Sequence, residues 1–512
     1  MRAKATLNRE YRISTVDKRV YGSFLEHMGR AVYTGIYEPG HEKADADGFR
    51  RDVLEMMRDL DMPIVRYPGG NFVSAYRWED GIGPRQERPV RLDLAWRTRE
   101  TNQVGVNEFA DWAKLAGTEM MLAMNLGSRG LDDARNFLEY CNHPGGTYWS
   151  DLRAKHGYRE PHNVRIWCLG NEIDGPWQVG HKSAAEYGHL ANEVSKAFKY
   201  FDKTLETVVC GSSNDKMKTY PEWEATVLDA SYDSVDYISL HKYFGNEEQD
   251  TLNYYAKAID LDRYIVTIGG VIDYIKAKKR SKRDVKICFD EWNVWYHDRK
   301  QDGERIASWD WPEAPPLLEE LYNLEDAIFV GSLLNVFIRR SDRVKIACMA
   351  QLVNVIAPIL TKAGGPAWRQ SIYYPLQYAS KYGRGTALNV AASSPTYDCD
   401  VAQDVPYLDL SAVLQEDGRS LAIFAINRSL DEPLDLTIDL QGFKQAKVVQ
   451  HQMLEGEDLK ARNSVDDQNR IVPKAGKALA VDDAGTLVGT LPPELKSAVE
   501  GGMADAWEEF AK

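Results

Sequence analysis

The sequence predicts an α/β protein: a (β/α)8 TIM barrel followed by a C-terminal antiparallel β-sandwich domain of jelly-roll-like type. From residue 16 to 383, eight short apolar runs alternate with segments of helical periodicity, the order of elements found in a barrel of parallel strands. After Arg384 the helical period gives way to alternating apolar and polar residues with DG and QG turns between the runs, which is typical of antiparallel sheets. A doubly wound sheet is the competing arrangement, but no GxGxxG follows the first strand.

Eight apolar runs are the candidate barrel strands. In chain order they are VYGSFLEHM from Val20, IVRYPGGNF from Ile64, EMMLAMNLG from Glu119, VRIWCLGNE from Val164, TVVCGSS from Thr207, YISLHKYF from Tyr237, VKICFDEWN from Val285 and IACMAQLVN from Ile346. Amphipathic segments such as VNEFADWAKLAG and LEDAIFVGSLLNVFIRR lie between them. Residues 1–15 form a strand too early for the barrel and are expected to join the sandwich, which spans residues 384–512. The tail GGMADAWEEFAK is predicted to be a short exposed helix.

Charge and composition restrict the partners. A net charge of −14 over 512 residues disfavours nucleic acid and anionic membranes. No apolar leader is found near the N-terminus, and no run approaches the roughly 18 apolar residues of a membrane span. The six cysteines are scattered without a CxxC pair. A reduced, cytoplasmic protein is therefore expected.

Polar side chains end nearly every predicted barrel strand. In a barrel, the carboxyl ends of the strands and the loops that follow them form the functional cleft. The end residues are Glu26, His27, Arg66, Asn71, Asn125, Asn171, Glu172, His241, Tyr243, Glu291, Trp292, Gln351 and Asn354. A single Asn or Glu at such a place is usually a cap, and for Asn125 or Asn354 alone a structural role is the better interpretation. The whole set favours a site.

Two of these residues predict the chemistry. Glu172 ends the fourth strand and Glu291 the seventh, so two carboxylates face each other across the barrel mouth. Glycoside hydrolysis needs such a pair, one to protonate the leaving oxygen and one to attack C1 or activate water. Trp177 follows the first acid, and Trp292, Trp295 and Tyr296 follow the second; aromatic rings commonly hold neutral sugars.

Each acid has an acidic neighbour. Successive strand residues point to opposite faces, so only one of Asp290 and Glu291 is expected in the barrel interior, and Asp290 is expected to face the helices or a backbone donor. Asp174 lies in the turn IDGP and is expected to cap it. In a regular strand, the neighbours Asn171 and Glu172 would point to opposite faces. A bulge or a twist at the strand end is required if both are to reach the cleft.

Several long motifs resemble the intracellular α-L-arabinofuranosidases of glycoside hydrolase family 51. In chain order they are RYPGGNFVSAYRWEDGIGP, ETNQVGVNEF, LGNEIDGPWQ, SLHKYFGN and CFDEWNVWY, and the resemblance extends from Gly22 to about Asn354. Ala75 and Val104 stand where the family commonly has Gly and Phe, and neither position is catalytic.

The resemblance implies a retaining, exo-acting enzyme that removes arabinofuranosyl residues from arabinoxylan- or arabinan-derived oligosaccharides. Glu291 would be the nucleophile and Glu172 the general acid/base, with a raised pKa and carboxyl groups about 5–5.5 Å apart. The substrate-binding residues implied are Glu26, Asn71, Asn171, Tyr243, Gln351 and Trp96, and Arg66 and His241 would hold the carboxylates or strand ends. A homohexamer is implied, and no cofactor.

Three other interpretations remain open. The same Glu pair could serve a β-xylosidase, xylanase or endoglucanase. A catalytically inactive sugar-binding barrel is disfavoured because both carboxylates are present. A metal at Glu26, His27, Glu172, His241 and Glu291 is disfavoured because there is no HExxH or paired-His spacing.

Overall fold

The computed structural model describes residues 1–492 and 496–503. Eight parallel strands form a closed barrel, as the sequence predicts. They are β1 (Gly22–Phe24), β2 (Ile64–Tyr67), β3 (Glu119–Ala123), β4 (Ile166–Cys168), β5 (Glu206–Cys210), β6 (Tyr237–Phe244), β7 (Lys286–Val294) and β8 (Val344–Ala350). The barrel closes where Cys348 of β8 pairs with Gly22 of β1.

Helices surround this barrel and bury the outer face of its strands. They are α1 (Arg51–Asp59), α2 (Val106–Ala116), α3 (Leu131–Asn142), α4 (Tyr148–Lys155), α5 (Ala184–Phe201), α6 (Glu222–Ser231), α7 (Thr251–Ala256), α8 (Ala258–Lys279), α9 (Arg299–Ser308), α10 (Leu324–Arg339) and α11 (Tyr373–Tyr382). Helix α10 is apolar almost all round and its residues from Leu324 to Ile338 are buried, because it packs on the barrel and on the second domain.

The second domain is a nine-stranded sheet that encloses a core of its own. After the barrel come β9 (Gly385–Ser393), β10 (Leu408–Gln415), β11 (Leu421–Asn427), β12 (Leu434–Gln441), β13 (Ala446–Leu454), β14 (Lys474–Ala475), β15 (Thr486–Leu491) and β16 (Lys496–Met503). The ninth strand is the N-terminal one, Arg2–Val16, which lies between β9 and β12. Its pairing with β12 is parallel, whereas the other pairings in the sheet are antiparallel.

The two domains are joined by buried charge and backbone pairing. Asp409 of β10 lies 2.6 Å from Arg339 of α10 and 3.0 Å from Arg428. The backbone N–H of Leu324, at the start of α10, donates to the carbonyl of Ala461. The second domain therefore supports α10, which follows the catalytic strand β7 in the chain.

Two further predictions concern the ends and the membrane. Residues 501–503 belong to β16 rather than to the predicted tail helix, and the rest of that helix lies outside the described residues. Among the residues that the structure describes, no helix is long and apolar enough to cross a membrane.

Candidate active site

Glu172 reaches the barrel mouth because the chain turns sharply after β4. The strand ends at Cys168, and Gly170 and Glu172 then adopt left-handed backbone angles, with φ of 103° and 43°. A left-handed φ is uncommon for a non-glycine residue and is found at functional sites where the surroundings enforce it. This turn, rather than strand alternation, places Glu172 in the cleft and Asn171 against Arg66 and Asn71.

A β-bulge in β7 brings two acids into the barrel. Cys288 and Glu291 of β7 pair with Ser239 and His241 of β6, so three steps along one strand match two along the other. The prediction that Asp290 faces the helices was therefore wrong. The bulge adds one residue and cancels the alternation of sides, so Asp290 points inward together with Glu291.

The Glu172 side chain is 11% exposed and hydrogen-bonded at both oxygens. Its Oε1 is 3.0 Å from Nδ1 of His241, and its Oε2 accepts a hydrogen bond of 2.9 Å from Nε1 of Trp177. Burial raises the pKa of Glu172, the negative charge of Glu291 raises it further, and the His241 contact opposes both. A carboxyl group with a raised pKa can remain protonated and serve as an acid.

Glu291 is held by a cation and a phenol. Arg66 donates from Nη1 to Oε1 at 2.6 Å, and the hydroxyl of Tyr243 donates to Oε2 at 2.8 Å. These two hydrogen bonds hold the Glu291 carboxyl group in one orientation. The nearest oxygens of Glu172 and Glu291 lie within 4.8 Å of one another, with Nδ1 of His241 within the same distance of both.

Asp290 lies below this pair and contacts both cations of the site. Its Oδ2 is 3.1 Å from Nε of Arg66, its Oδ1 is 3.3 Å from Nε2 of His241, and Ser239 donates its hydroxyl to Oδ1. Burial alone would raise the pKa of Asp290, but Arg66 and His241 lower it to about 2. Burial would likewise lower the pKa of His241, but Glu291, Asp290 and Glu172 raise it to about 10.

The opposite wall contains the predicted sugar-binding residues. Glu26 Oε1 accepts from the backbone N–H of Phe72 and from Nε1 of Trp96, each at 2.9 Å. Gln351 accepts from the backbone N–H of Glu26 at 2.9 Å. Burial raises the pKa of Glu26 to about 8, so this carboxyl group can donate as well as accept near neutral pH.

Asn171 links this wall to the catalytic centre. Its amide donates to Oδ1 of Asn71 at 3.2 Å, and its own Oδ1 accepts from Nη2 of Arg66 at 2.6 Å. Arg66 thus fixes both Asn171 and Glu291, which is the holding role that the sequence predicted for it.

One cavity of about 650 Å³ lies above this cluster, and the site residues that line it are Glu26, Asn71, Glu172, Tyr243, Glu291 and Gln351. Asn171, Arg66 and His241 lie behind its wall. Trp177, Trp295 and Trp96 line it, whereas Trp292 and Tyr296 do not. Trp292 follows Glu291 on the strand and packs outward against Phe337 of α10, with ring centroids 5.2 Å apart. Of the four aromatic residues that follow the two acids in the sequence, Trp177 and Trp295 therefore line the cavity and the other two do not.

Three polar residues of the cavity wall were not predicted as site residues. The loop after β5 contributes Asn214 and Asp215, and strand β6 contributes Lys242. Lys242 is ion-paired with Asp215 and lies 5.5 Å from the centre of the Phe244 ring. Lys242 lies in the quoted motif SLHKYFGN, but the motif alone does not show that its side chain reaches the cavity.

The structure gives Asn125, Asn354 and Asp174 local bonding roles. Asn125 accepts from the backbone N–H groups of residues 127 and 128, and Asn354 accepts from the N–H of Thr361. Asp174 accepts from the backbone N–H and hydroxyl of Ser213. It therefore ties its turn to the next loop rather than capping the turn itself.

A metal would have to share the centre with the protein's own cations. Among the described residues, Glu172, His241 and Glu291 form the group with ligand-like spacing. His241, however, has a carboxylate near each ring nitrogen, and Arg66 already contacts Glu291. The absence of a catalytic metal stays a prediction, to be checked by metal analysis of the purified protein.

A TIM barrel with two carboxylates at the ends of strands β4 and β7, beside a pocket of amide, indole and carboxyl groups, defines a barrel glycoside hydrolase. The comparisons with known proteins agree. Residues 56–260 match the "Alpha-L-arabinofuranosidase 1 domain", and residues 290–494 match the "Alpha-L-arabinofuranosidase C-terminal domain". The chain belongs to the α-L-arabinofuranosidases of glycoside hydrolase family 51.

Individual relatives cover nearly the whole chain. An intracellular exo-α-(1→5)-L-arabinofuranosidase of Halalkalibacterium halodurans is 54% identical, over 96% of this chain and 97% of that protein. An exo-α-(1→6)-L-arabinofuranosidase of Bifidobacterium longum is 46% identical, over 97% of each. The solved structure of a family 51 α-L-arabinofuranosidase from Bifidobacterium longum has a TM-score of 0.93 at 42% identity, covering 97% of this chain and 99% of that one.

Proposed function

We propose that this enzyme removes terminal α-L-arabinofuranosyl residues from arabinose-containing oligosaccharides, by a retaining double displacement in which Glu291 is the nucleophile and Glu172 the general acid/base. The observation that carries the proposal is the asymmetry of the two carboxyl groups. Glu291 receives a cation and a phenol hydroxyl, whereas Glu172 has a raised pKa and has Trp177 and His241 as neighbours.

The spacing of the two groups supports retention. Retaining enzymes place their carboxyl groups about 5–5.5 Å apart, and inverting enzymes leave about 6.5–9.5 Å for a water molecule. Oxygens of Glu172 and Glu291 lie within 4.8 Å of each other. This spacing is closer to the retaining than to the inverting arrangement.

In the first half-reaction, Glu291 attacks C1 while Glu172 gives its proton to the glycosidic oxygen. The bond from C1 to that oxygen breaks, the leaving group departs as an alcohol, and an ester forms between C1 and a Glu291 oxygen. Arg66 and Tyr243 hold the Glu291 carboxylate in a fixed orientation, so little reorganisation is needed at the moment of attack.

In the second half-reaction, the ionised Glu172 takes a proton from water as that water attacks C1. The ester bond breaks, Glu291 regains its charge, and Glu172 is protonated again. Positive charge on the ring in both transition states is stabilised by nearby carboxylates. Asn171, fixed by Arg66 at 2.6 Å, is placed to bind a sugar hydroxyl, where hydrogen bonds strengthen as charge develops.

The pocket supports an exo mode of action. On the side of the cavity next to β8, β1 and β2, the wall contains Gln351, Glu26 and Asn71. These polar groups can form hydrogen bonds with the hydroxyls of one terminal sugar. The arc formed by β5 and β6 lies on the other side, between the two catalytic strands, and is open to the leaving group. Relatives named for (1→5) and (1→6) activity are both close to this chain; the higher identity favours the (1→5) linkage here.

The enzyme is proposed to act inside the cell, because the name of the 54% identical relative describes that protein as intracellular. Its substrates would then be oligosaccharides imported into the cell. Homohexamer formation is also proposed, from the resemblance alone. Light scattering behind a sizing column measures it directly, since a hexamer of a 58.0 kDa chain is six times that mass.

One activity panel tests the function. Aryl α-L-arabinofuranoside and (1→5)-, (1→6)-, (1→2)- and (1→3)-linked arabinofuranosyl oligosaccharides are compared with aryl β-xyloside and a cellulose polymer. We expect turnover of the arabinofuranosides, fastest for the (1→5) linkage. Faster hydrolysis of the xyloside or the polymer would reverse the assignment in favour of the xylosidase or endoglucanase alternative.

A nucleophile variant tests the mechanism separately. Glu291→Ala should abolish turnover, and added azide should restore it by occupying the space of the lost carboxylate and giving an arabinosyl azide of inverted configuration. Glu10→Ala, which changes an exposed carboxylate in the second domain, is the control and should keep wild-type rates. A rescued product of retained configuration would contradict the nucleophile role.

A further inference from the structure

Asp290 is a carboxylate at the base of the active site for which the proposed mechanism has no use. Its side chain is 1% exposed, and the cavity lining does not include it. A buried, ionised carboxylate is unfavourable unless charged partners compensate for its desolvation. The chain nevertheless forms a bulge in β7 that turns this residue inward.

The partners of Asp290 are the two cations that contact the catalytic pair. Nε of Arg66 lies 3.1 Å from Oδ2 of Asp290, and its Nη1 lies 2.6 Å from Oε1 of Glu291. His241 uses Nε2 for Asp290 at 3.3 Å and Nδ1 for Glu172 at 3.0 Å, and the same Nδ1 is 3.6 Å from Glu291. Each cation therefore joins Asp290 on one side to a catalytic carboxyl group on the other.

The charges of this cluster balance only when Glu172 carries a proton. Arg66 and an imidazolium at His241 give two positive charges, and Asp290 and Glu291 give two negative ones. A buried cluster with zero net charge is favoured over one with an uncompensated charge. Glu172, the fifth member, is then neutral in the resting enzyme, which is the state that an acid catalyst requires.

We propose that Asp290 is a positioning residue that keeps His241 in its imidazolium form. Glu172 is then the group of the site that loses and regains a proton during the reaction. The inference rests on the roles proposed above for Glu172 and Glu291. Asp290 does not touch the sugar; it acts through His241, whose ring lies between it and Glu172.

Among the remaining groups, Asp174 acts on His241 only through its charge at longer range, and its carboxyl group is bonded to Ser213. Ser239 of β6 donates its hydroxyl to Asp290, and Cys168 of β4 lies 3.8 Å from it. The neighbouring thiols are Cys168, Cys210, Cys288 and Cys348, and burial raises the pKa of each, so they stay neutral. Tyr243 is also neutral, because burial and Glu291 raise its pKa. Asp290 is therefore the charge that compensates for the second cation.

Asp290→Asn removes one negative charge and preserves the shape and the acceptor for Ser239. The cluster would then carry excess positive charge, which favours loss of a proton from His241 or Glu172. We expect the alkaline limb of the kcat/KM profile on an aryl arabinofuranoside to move down by about one pH unit or more. The loss of kcat/KM should be about tenfold or more at pH 8 and several times smaller at pH 5.5. A purely structural role would lower the rate equally at both pH values.

Asp409→Asn is the matched control. Asp409 is also a buried aspartate that joins two cations, Arg339 and Arg428, but it lies at the domain interface. This variant should lose stability while keeping the wild-type pH profile. An unmoved alkaline limb in Asp290→Asn, or an equal shift in both variants, would overturn the proposal.

A spectroscopic measurement decides the matter even if Asp290→Asn does not fold. The chain has ten histidines, so ¹⁵N-histidine labelling gives few signals, and His241→Gln identifies that of His241. In the wild-type enzyme both ring nitrogens of His241 should keep imidazolium shifts from pH 6 to pH 8. A neutral His241 at pH 7 would refute the proposal while leaving the azide test of Glu291 unaffected.

Discussion

At the scale of single residues, three glutamates of the site differ in their hydrogen-bond partners and are proposed to have different functions. Glu291 and Glu26 are buried glutamates at the mouth of the barrel, and Glu172 beside them is partly exposed. Glu291 accepts hydrogen bonds from Arg66 and Tyr243. Glu172 is hydrogen-bonded to His241 and Trp177. The donors to Glu26 are neutral, namely the backbone N–H of Phe72 and the side chains of Trp96 and Gln351. Neighbouring charge therefore distinguishes the residues proposed as nucleophile, acid and sugar ligand.

Tyr243→Phe should slow the reaction without unfolding the protein. It removes the 2.8 Å hydrogen bond to Oε2 of Glu291, and a hydrogen bond to a charged group contributes about 1.5–3 kcal/mol. We expect kcat/KM to fall about 10- to 100-fold. Tyr373→Phe removes the hydroxyl contacts to Met56 and Asp59 outside the cavity and serves as the control; an equal loss of rate in both variants would show that Tyr243 has no specific role.

Glu172→Ala should distinguish substrates by their leaving group. Without an acid, cleavage of an aryl arabinofuranoside with an activated phenol should lose far less rate than cleavage of a natural oligosaccharide, whose alcohol must be protonated as it leaves. Pre-steady-state measurement of the glycosylation step on both substrates checks this. Equal losses would contradict the acid role of Glu172.

Glu26 should make stability depend on pH. Its pKa rises to about 8 in the folded protein because it is buried, whereas an unfolded glutamate titrates at about 4.3. Between about pH 4 and pH 8, Glu26 is protonated in the folded protein and ionised in the unfolded one. The contribution of protonated Glu26 to stability is therefore complete below about pH 4 and is lost as the pH rises towards 8.

Glu26→Gln mimics the protonated form and should remove this dependence. Between pH 5 and pH 8 the variant should gain stability relative to the wild type, by more than about 1 kcal/mol, measured by chemical denaturation at both pH values. Glu42→Gln, at an exposed position, should leave the pH dependence unchanged. A constant difference between Glu26→Gln and the wild type would show that Glu26 is ionised when folded.

At the scale of secondary-structure elements, two local irregularities shape the site. A regular end to β4 would send Asn171 and Glu172 to opposite sides, and a regular β7 would do the same to Asp290 and Glu291. The left-handed turn at Gly170 and Glu172 and the bulge before Glu291 prevent this. The catalytic residues therefore depend on departures from the regular strands that the sequence pattern predicts.

Gly170→Ala should therefore affect catalysis as well as stability. An alanine at φ 103° is strained, and its Cβ would lie 3.2 Å from Ile173. We expect a loss of about 1 kcal/mol in stability together with a marked fall in kcat, because Glu172 is two residues away. Gly117→Ala, at φ 73° after α2 with open space around it, should lose similar stability at full activity. Full activity in Gly170→Ala would contradict the importance of this turn.

At the scale of the whole molecule, the second domain is part of the support for the barrel. Its Lys460 forms an ion pair with the fully buried Glu325 of α10, at 2.5 Å, and Glu325 also accepts from Asn246 in the loop after β6. The family match from residue 290 to 494 likewise runs from the catalytic strand into this domain. The two parts are expected to unfold as one unit.

Asp409→Asn tests that coupling. Loss of the carboxylate leaves Arg428 buried without its charge partner, and breaking a buried ion pair costs about 3 kcal/mol or more. We expect a lower Tm and a single transition that near-UV and far-UV circular dichroism report together. Two separate transitions in the wild type would show that the domains are stable independently.

The sequence by itself determined the order of elements, the barrel and the residues most concerned with chemistry. Apolar periodicity identifies eight strands because each must be buried on both faces, and functional residues lie at the carboxyl ends of those strands in any such barrel. The positions of Glu172, Glu291, Arg66, His241 and Tyr243 follow from these two rules.

The orientation of Asp290, the outward packing of Trp292 and the place of Lys242 in the cavity wall depend on the tertiary structure. The bulge in β7 and the register of β7 against β6 position these residues. Both depend on contacts between segments far apart in the chain, such as that of Asp290 with Arg66. The alternation of apolar and polar residues along the sequence does not predict such contacts. The sequence thus predicts which strands deliver the carboxylates, and packing between strands decides which carboxylates face the substrate.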